Sequence, residues 1–116
     1  MNIQQAFQTC FRKYTDFTGR ASRPEYWWFI LAYMVIAVVA ALIHRFVYGA
    51  VVLVFIAPLL AVGARRLHDV GKSGWFLLLA LIPVIGNLIL LYFMVQPSQP
   101  ETNEFGAPPA QLPQLA

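Results

Sequence analysis

Three long apolar runs constrain the fold of this chain more than any other feature. They cover approximately residues 26–43, 47–64 and 75–95, and none of them contains a charged side chain. Each is long enough, at about 1.5 Å of helix per residue, to cross most of the roughly 30 Å hydrocarbon core of a bilayer. The sequence therefore predicts three transmembrane helices. The third is expected to be kinked at Pro83 and Gly86, because proline removes a helical hydrogen bond.

The composition supports a membrane location. Of the 116 residues, 59% are hydrophobic and 11% are charged, whereas a soluble domain is about 25% charged because its surface must be solvated. The basic residues flank the apolar runs and do not form the basic face of a soluble module, so no nucleic-acid partner is predicted. The first twenty residues contain no continuous apolar core, so we expect the first run to serve as an uncleaved signal anchor.

Residues 1–17 have the pattern of an amphipathic helix. Apolar side chains recur at helical spacing from Ile3 through Phe7 and Phe11 to Tyr14, and polar side chains occupy the opposite face. The segment is too short and too polar to span a bilayer. Two compatible placements are open: an interfacial helix that lies on the lipid headgroups, or a helix whose apolar stripe packs on the transmembrane helices.

The first transmembrane helix is expected to begin at the membrane surface, close to Ser22. Ser22 followed three residues later by Glu25 predicts a capping box, in which the Glu25 side chain returns to the backbone N–H of Ser22. The aromatic residues that follow directly are typical of a membrane–water interface. Beyond the first run, Tyr48 and Gly49 are predicted to contribute to a tight turn that leads into the second.

Residues 65–75, here called the polar island, concentrate charge between the second and third apolar runs. We expect this segment and residues 19–25 to meet at one membrane face. Their candidate polar cluster consists of Arg20, Arg23, Glu25, Arg65, Arg66, His68, Asp69 and Ser73. We expect the carboxylates of Glu25 and Asp69 to pair with arginines of this cluster. The arginines left free are expected to bind anionic lipid headgroups.

The distribution of basic residues predicts the orientation. The N-terminal segment and the polar island contain seven of the eight Lys and Arg residues, and the loop after the first run contains only Arg45. The positive-inside rule places the N-terminus and residues 65–74 in the cytoplasm, and three spans then place the C-terminus outside. If the third run is re-entrant instead, the tail returns to the cytoplasm.

Further expectations concern the C-terminal part of the chain. Asn87 is an intramembrane polar residue near the middle of the third run, so its amide needs a partner on another helix or a carbonyl freed by Pro83. The Pro- and Gln-rich tail is predicted to be disordered over residues 107–116. Residues 1–106 are expected to form a single membrane domain.

Two segments resemble the signature of a known family. The segment FTGRASRPEYW, residues 17–27, and the polar island RRLHDVGKSGW are similar to the signature of small bacterial inner-membrane proteins known as domain of unknown function 805. Leu81-Ile82-Pro83 with Gly86, and Asn103 with Gly106, also fit its later pattern. The resemblance covers approximately residues 7–106. It implies a bacterial inner-membrane location and no established activity.

Three classes of function are open at this point. The preferred one is a non-enzymatic membrane protein whose cluster forms structural ion pairs and binds anionic lipid headgroups. The alternative is a homo-oligomer, or a subunit or partner in a membrane complex concerned with transport. His68 and Asp69 beside arginines also suggest an enzyme acting on a lipid phosphate. Only Ser73 stands out as a nucleophile and no acidic metal site accompanies it, so catalysis, a metal and a cofactor are not predicted.

Overall fold

The computed structural model describes residues 2–108, and this part of the chain is helical. Its α-helices are α1 (Ile3–Arg12), α2 (Arg23–Ile43), α3 (Arg45–Asp69) and α4 (Ile85–Val95), with a 3-10 helix at Gly74–Leu81 between α3 and α4. Of these elements, α2 and α3 are long and apolar enough to cross a membrane, whereas α4 is a shorter apolar helix. The fold is therefore built on one pair of long helices.

The connection between α2 and α3 is a single residue, His44. Its backbone is extended, with φ −170° and ψ 148°, its N–H donates to the carbonyl of Ala40 at 3.0 Å, and its Nδ1 accepts from the N–H of Phe46 at 3.1 Å. The same residue thus ends one helix and caps the next. The predicted turn at Tyr48 and Gly49 is wrong, because α3 already begins at Arg45 and both residues are helical.

The start of α2 agrees only in part with the predicted capping box. Ser22 is the N-cap, and its Oγ accepts from the backbone N–H of Glu25 at 3.2 Å. The Glu25 side chain does not return to the Ser22 N–H, because its carboxylate pairs with Arg65 of α3 instead. The Glu25 carboxylate, which is expected from the sequence to cap α2, therefore joins α2 to α3.

Helix α1 packs its apolar stripe against the α2–α3 pair. The Phe11 ring lies 5.3 Å from the Phe55 ring of α3, and the Phe7 ring lies 5.9 Å from the Phe29 ring of α2, measured between centroids. Of the two placements expected for this helix, the one in which its apolar stripe packs on the long helices is therefore present. The helix is shorter than the predicted 1–17, since it ends at Arg12.

The predicted third transmembrane helix is two helices that fold back on each other, here called the C-terminal hairpin. The 3-10 helix and α4 are separated by residues 82–84, and the rings of Phe76 and Phe93 pack across the hairpin with centroids 5.8 Å apart. At the tip, the N–H of Ile85 donates to the carbonyl of Pro83 at 2.7 Å, and Val84 has φ +62° and ψ −68°. These values describe a γ-turn, which reverses the chain.

A glycine permits the close approach of the two arms. A β-carbon at Gly86 would overlap the backbone oxygen of Leu79 and would lie 2.8 Å from Cβ of Ile82. Pro83 lacks an N–H and cannot continue the preceding helix. The single kinked span expected over residues 75–95 is thus corrected: the chain enters and leaves the hairpin at the same end of the α2–α3 pair.

The chain after α4 returns to the end of the molecule where α2 begins. The indole N–H of Trp27 donates to the carbonyl of Met94 at 3.1 Å, and Nη1 of Arg23 donates to the carbonyl of Val95 at 3.3 Å. Residues 96–106 then run beside the C-terminal end of α3. The expectation that the tail and the polar island lie at opposite ends of the molecule is therefore not met.

Part of the tail is ordered by its own turn. The backbones of Asn103 and Gly106 form a pair of hydrogen bonds of 3.1 Å each, and Gly106 has a positive φ of 126°. Of the tail predicted to be disordered, residues 109–116 lie outside the described residues, and Pro108 is buried. The tail up to this point is part of the packed structure.

Candidate functional site: a buried ion-pair network and its histidine

Five charged side chains meet where α2, α3 and the tail come together. They form three ion pairs, and each residue is at most 3% exposed. We call them the ion-pair network: Arg20, Glu25, Arg65, Arg66 and Asp69. Burial of so many charges is tolerated only where each charge has partners of opposite sign or strong hydrogen bonds.

Asp69 is the centre of one half of the network. Its Oδ1 accepts from Nε of Arg20 at 3.0 Å, and its Oδ2 accepts from Nη1 of Arg66 at 2.7 Å and from the hydroxyl of Ser98. Arg66 and Asp69 are three residues apart on α3, so they share one helix face. The loop before α2, the end of α3 and the tail are therefore joined through one carboxylate.

Glu25 and Arg65 form the other half. Nη1 of Arg65 donates to Oε2 of Glu25, which also lies 3.8 Å from Sγ of Cys10 on α1. Burial, and next the Glu25 carboxylate, raise the pKa of the Cys10 thiol to about 12. Oε1 of Glu25 and Nε and Nη2 of Arg65 have no partner among the described residues. This pair joins α2 to α3 and brings α1 against both.

The two arginines beside Asp69 also bind backbone carbonyls of the tail. Arg20 donates to the carbonyls of Gln99 at 2.6 Å and of Glu101 at 2.9 Å. Arg66 donates to the carbonyls of Met94 at 3.2 Å and of Gln96. A guanidinium offers five N–H donors in a rigid plane, so one arginine can bind a carboxylate and several carbonyls at once.

The remaining predicted cluster residues lie outside the network. Arg23 is exposed, so of the four arginines proposed for the cluster it is the one whose side chain faces the surroundings. Ser73 caps the 3-10 helix, where its Oγ accepts from the N–H of Trp75 at 3.2 Å. Lys72, which precedes Ser73 and is not a member of the predicted cluster, places its Nζ 5.5 Å from the centre of the Phe93 ring.

His68 has its own set of contacts beside the network. Its Nδ1 lies 2.8 Å from the carbonyl of Gly19, and its ring stacks on Phe105 with centroids 3.9 Å apart. The side chain of Asn103 donates to the backbone carbonyl of His68 at 3.0 Å. The residue is buried, with 8% of its surface exposed. The tail therefore holds the imidazole in a fixed orientation.

Asn87 is not joined to a separate transmembrane helix. Its Nδ2 donates to the carbonyls of Ala80 at 3.4 Å and Ile82 at 3.5 Å, within the C-terminal hairpin. The partner expected for this amide is thus supplied by the end of the 3-10 helix. No group of three or more His, Cys, Asp or Glu side chains suitable for a metal ion occurs within residues 2–108.

The tail residues were absent from the predicted cluster. Ser98, Asn103 and Phe105 all contact His68 or Asp69, although their segment follows the last predicted span. One signal was present in the sequence: Asn103 followed three residues later by Gly106 is typical of a β-turn. Such a turn indicates an ordered segment and does not reveal what it contacts.

These features define a class of protein: a small all-helical membrane protein, with two long apolar helices joined at one end by a buried ion-pair network. The chain belongs to the family described as Protein of unknown function (DUF805), whose pattern matches residues 14–107. The resemblance noted in the sequence is thereby confirmed.

Its relatives include two proteins of Escherichia coli strain K12. The chain is 40% identical over 116 residues to Inner membrane protein YhaH, an alignment covering 88% of this chain and 93% of the relative. It is 35% identical over 115 residues to Inner membrane protein YhaI, covering 90% of this chain and 95% of the relative. No solved structure matches the chain. The relatives are inner-membrane proteins, in agreement with the apolar helices of this chain.

Proposed function

We propose that this protein is a non-enzymatic, multi-pass protein of the bacterial inner membrane that binds anionic lipid at its cytoplasmic face. In this proposal α2 and α3 span the bilayer, and the C-terminal hairpin is re-entrant. The N-terminus, the polar island and the tail then share the cytoplasmic side. The ion-pair network holds these segments together, and cations outside the network contact the headgroups.

One observation carries the proposal: the network gathers residues 18–25, 65–74 and 96–106 at one end of the α2–α3 pair, while Arg45 lies at the other end. Five of the eight Lys and Arg residues lie in these segments, and Arg12 and Lys13 precede the first of them, at the C-terminal end of α1. The positive-inside rule favours the cytoplasm for that end. A hairpin that returns to the side it entered accounts for a tail in contact with the polar island.

The geometry divides the cations by role. Arg20, Arg65 and Arg66 are buried and donate to carboxylates, so they are not available to headgroups. Arg23 is exposed and Lys72 is half-buried, and both lie at the same end. Juxtamembrane cations of this kind attract anionic lipid by roughly 1 kcal/mol each. The pairing of both network carboxylates with arginine also disfavours their use as a catalytic base.

The test compares anionic lipid retained at the two ends. The full-length protein is extracted gently from its own membrane, and bound lipids are counted by native mass spectrometry. Replacing Arg23 and Lys72 by glutamine is expected to reduce the number of retained anionic lipids, while Arg45→Gln leaves it unchanged. Equal retention in all three proteins would argue against headgroup binding at this face. A stoichiometric protein partner in the spectra would instead favour a subunit role.

A further inference from the structure

A cavity of about 450 Å³ lies between α3 and the 3-10 helix, next to His68. Its walls are mainly apolar and include Phe17, Leu60, Trp75 and Leu78, and its polar lining includes His68 and Ser73. Trp75 and Leu78 are 79% and 56% exposed, so the cavity lies at the apolar outer surface of the hairpin. Its volume is within the roughly 300–1,000 Å³ typical of small-molecule sites.

The imidazole of His68 presents one free nitrogen to this cavity. Nδ1 faces the Gly19 carbonyl, which can only accept, so Nδ1 carries a proton. In the neutral ring, Nε2 is then a hydrogen-bond acceptor. It has no partner among the described residues, although only 8% of the surface of His68 is exposed. It lies 3.5 Å from where a β-carbon of Gly74 would be, so this glycine keeps the space beside Nε2 open.

Ser73 supplies the complementary donor. Its Oγ accepts from the N–H of Trp75, which occupies a lone pair and leaves the hydroxyl proton free. No acceptor for that proton occurs among the described residues. The polar lining therefore offers one acceptor, Nε2 of His68, and one donor, the hydroxyl of Ser73. A group that carries a hydroxyl close to an anionic oxygen satisfies both.

The surroundings favour an anionic, amphipathic occupant. The adjacent network contains three arginines and two carboxylates, so it carries one positive charge in excess. The 3-10 helix runs from Gly74 with a rise of about 2 Å per residue, so Leu78 lies on the order of 8 Å further along its axis. A ligand with its polar part at His68 would place an apolar chain along Leu60 and Leu78.

We propose that this cavity binds one anionic glycerophospholipid whose headgroup carries a free hydroxyl, which is the chemistry of phosphatidylglycerol. The headgroup hydroxyl donates to Nε2 of His68, Ser73 donates to a phosphate oxygen, and one acyl chain fills the groove beside Leu60 and Leu78. This inference rests on the membrane placement given under Proposed function. It adds a single specific site to the general attraction of anionic lipid by Arg23 and Lys72.

The test measures binding of defined lipids to the full-length protein in detergent by native mass spectrometry. Phosphatidylglycerol is compared with phosphatidic acid, which lacks the headgroup hydroxyl, and with phosphatidylethanolamine, which has an ammonium in its place. We expect one phosphatidylglycerol to bind at least tenfold more tightly than either. Phosphatidic acid lacks the headgroup hydroxyl, and the ammonium of phosphatidylethanolamine, although it can donate to Nε2, cancels the negative charge that the excess arginine of the network attracts. Binding of all three within twofold of one another would overturn the proposal.

Two variants examine the site itself. In His68→Asn, a side-chain amide can still donate to the Gly19 carbonyl, but the acceptor at the Nε2 position is lost. We expect phosphatidylglycerol affinity to fall at least tenfold in the folded variant, whose Tm is somewhat lower because the stack of His68 on Phe105 is lost. If His68→Asn fails to fold, Leu78→Trp at an exposed position fills the groove and is expected to remove the same binding. Wild-type affinity in the folded variant that is tested would refute the site.

The outcome separates this inference from the proposed function. Loss of Arg23 and Lys72 is expected to reduce the general population of anionic lipids and to leave the single phosphatidylglycerol bound. His68→Asn is expected to remove the single phosphatidylglycerol and to leave the general population of anionic lipids unchanged. Suppose that replacing Arg23 and Lys72 leaves both the single phosphatidylglycerol and the number of other bound anionic lipids unchanged. That result would refute the headgroup contacts proposed for these two residues and would support the cavity site.

Discussion

Nε of Arg20 donates to Oδ1 of Asp69 at 3.0 Å, and this buried bond joins residues that are 49 positions apart in the chain. The same guanidinium holds carbonyls of the tail. One arginine thus fixes the loop before α2, the end of α3 and the segment after α4 in a single arrangement. The stability of that end of the protein should therefore depend on the carboxylate of Asp69, which carries the charge opposite to that of Arg20.

Removal of Asp69 should destabilise the protein strongly. In Asp69→Ala, Arg20 and Arg66 remain buried without their carboxylate, and breaking a buried pair in this way costs about 3–5 kcal/mol. We expect less folded protein in the membrane and a lower Tm in detergent. Asp16→Ala is the matched control, because within residues 2–108 that carboxylate accepts only from Thr18, at a partly exposed position. Normal accumulation and Tm of Asp69→Ala would show that the ion pair is not stabilising.

The tail and the α2–α3 connection should lie on opposite sides of the membrane. In a Cys10→Ala background, single cysteines at the exposed positions Thr102 and Arg45 can be labelled with a membrane-impermeant maleimide. We expect Thr102→Cys to react only from the cytoplasmic side and Arg45→Cys only from the outer side. A continuous third span would make both react from the same side, and that result would exclude the re-entrant hairpin.

The Cys10 thiol should be unreactive in the folded protein. Its pKa is raised from 9.0 to about 12 by burial and by Glu25, so little thiolate is present at pH 8. We expect alkylation at least tenfold slower than for Thr102→Cys in the Cys10→Ala background. Equal rates would show that the thiol is accessible and ionises normally.

The same shift has a consequence for stability at high pH. Because the pKa is raised on folding, the contribution of the neutral thiol is fully present below pH 9. It is lost as the pH rises from 9 toward 12, since the unfolded state then releases its proton first. The difference in Tm between the wild type and Cys10→Ala should therefore change over this range and stay constant at lower pH.

The close approach inside the C-terminal hairpin should make Gly86 intolerant of a side chain. In Gly86→Ala the new methyl group meets the backbone of Leu79, which cannot move as a side chain does, and we expect a loss of about 1–3 kcal/mol. Gly49→Ala is the matched control, because a β-carbon there would have no atom of the described part of the chain within 4 Å. It should stabilise α3 by up to about 1 kcal/mol. Equal effects of the two substitutions on Tm would contradict the hairpin geometry.

Much of the architecture could be predicted because it depends on local patterns. The helical spacing from Ile3 to Phe11 and the cap at Ser22 are each read from a few neighbouring residues. The fold of the third apolar run could not be read in this way. Its length is that of a span, but Pro83 and Gly86 allow both a kink and a reversal. Packing between the two arms decides between them.

The sequence by itself determined the class of this protein and the end at which its charges gather. Both follow from the order of apolar and charged residues along the chain. Apolar runs of membrane length contain no charge, so the arginines occur only in the segments that flank these runs. Only the tertiary structure decided which carboxylate meets which arginine, and that the tail covers His68. Arg20 and Asp69 meet because the chain reverses at His44, so that the end of α3 returns to the start of α2. The tail reaches them because the chain reverses again at the hairpin tip. Such long-range contacts depend on how distant segments pack, which no local pattern specifies.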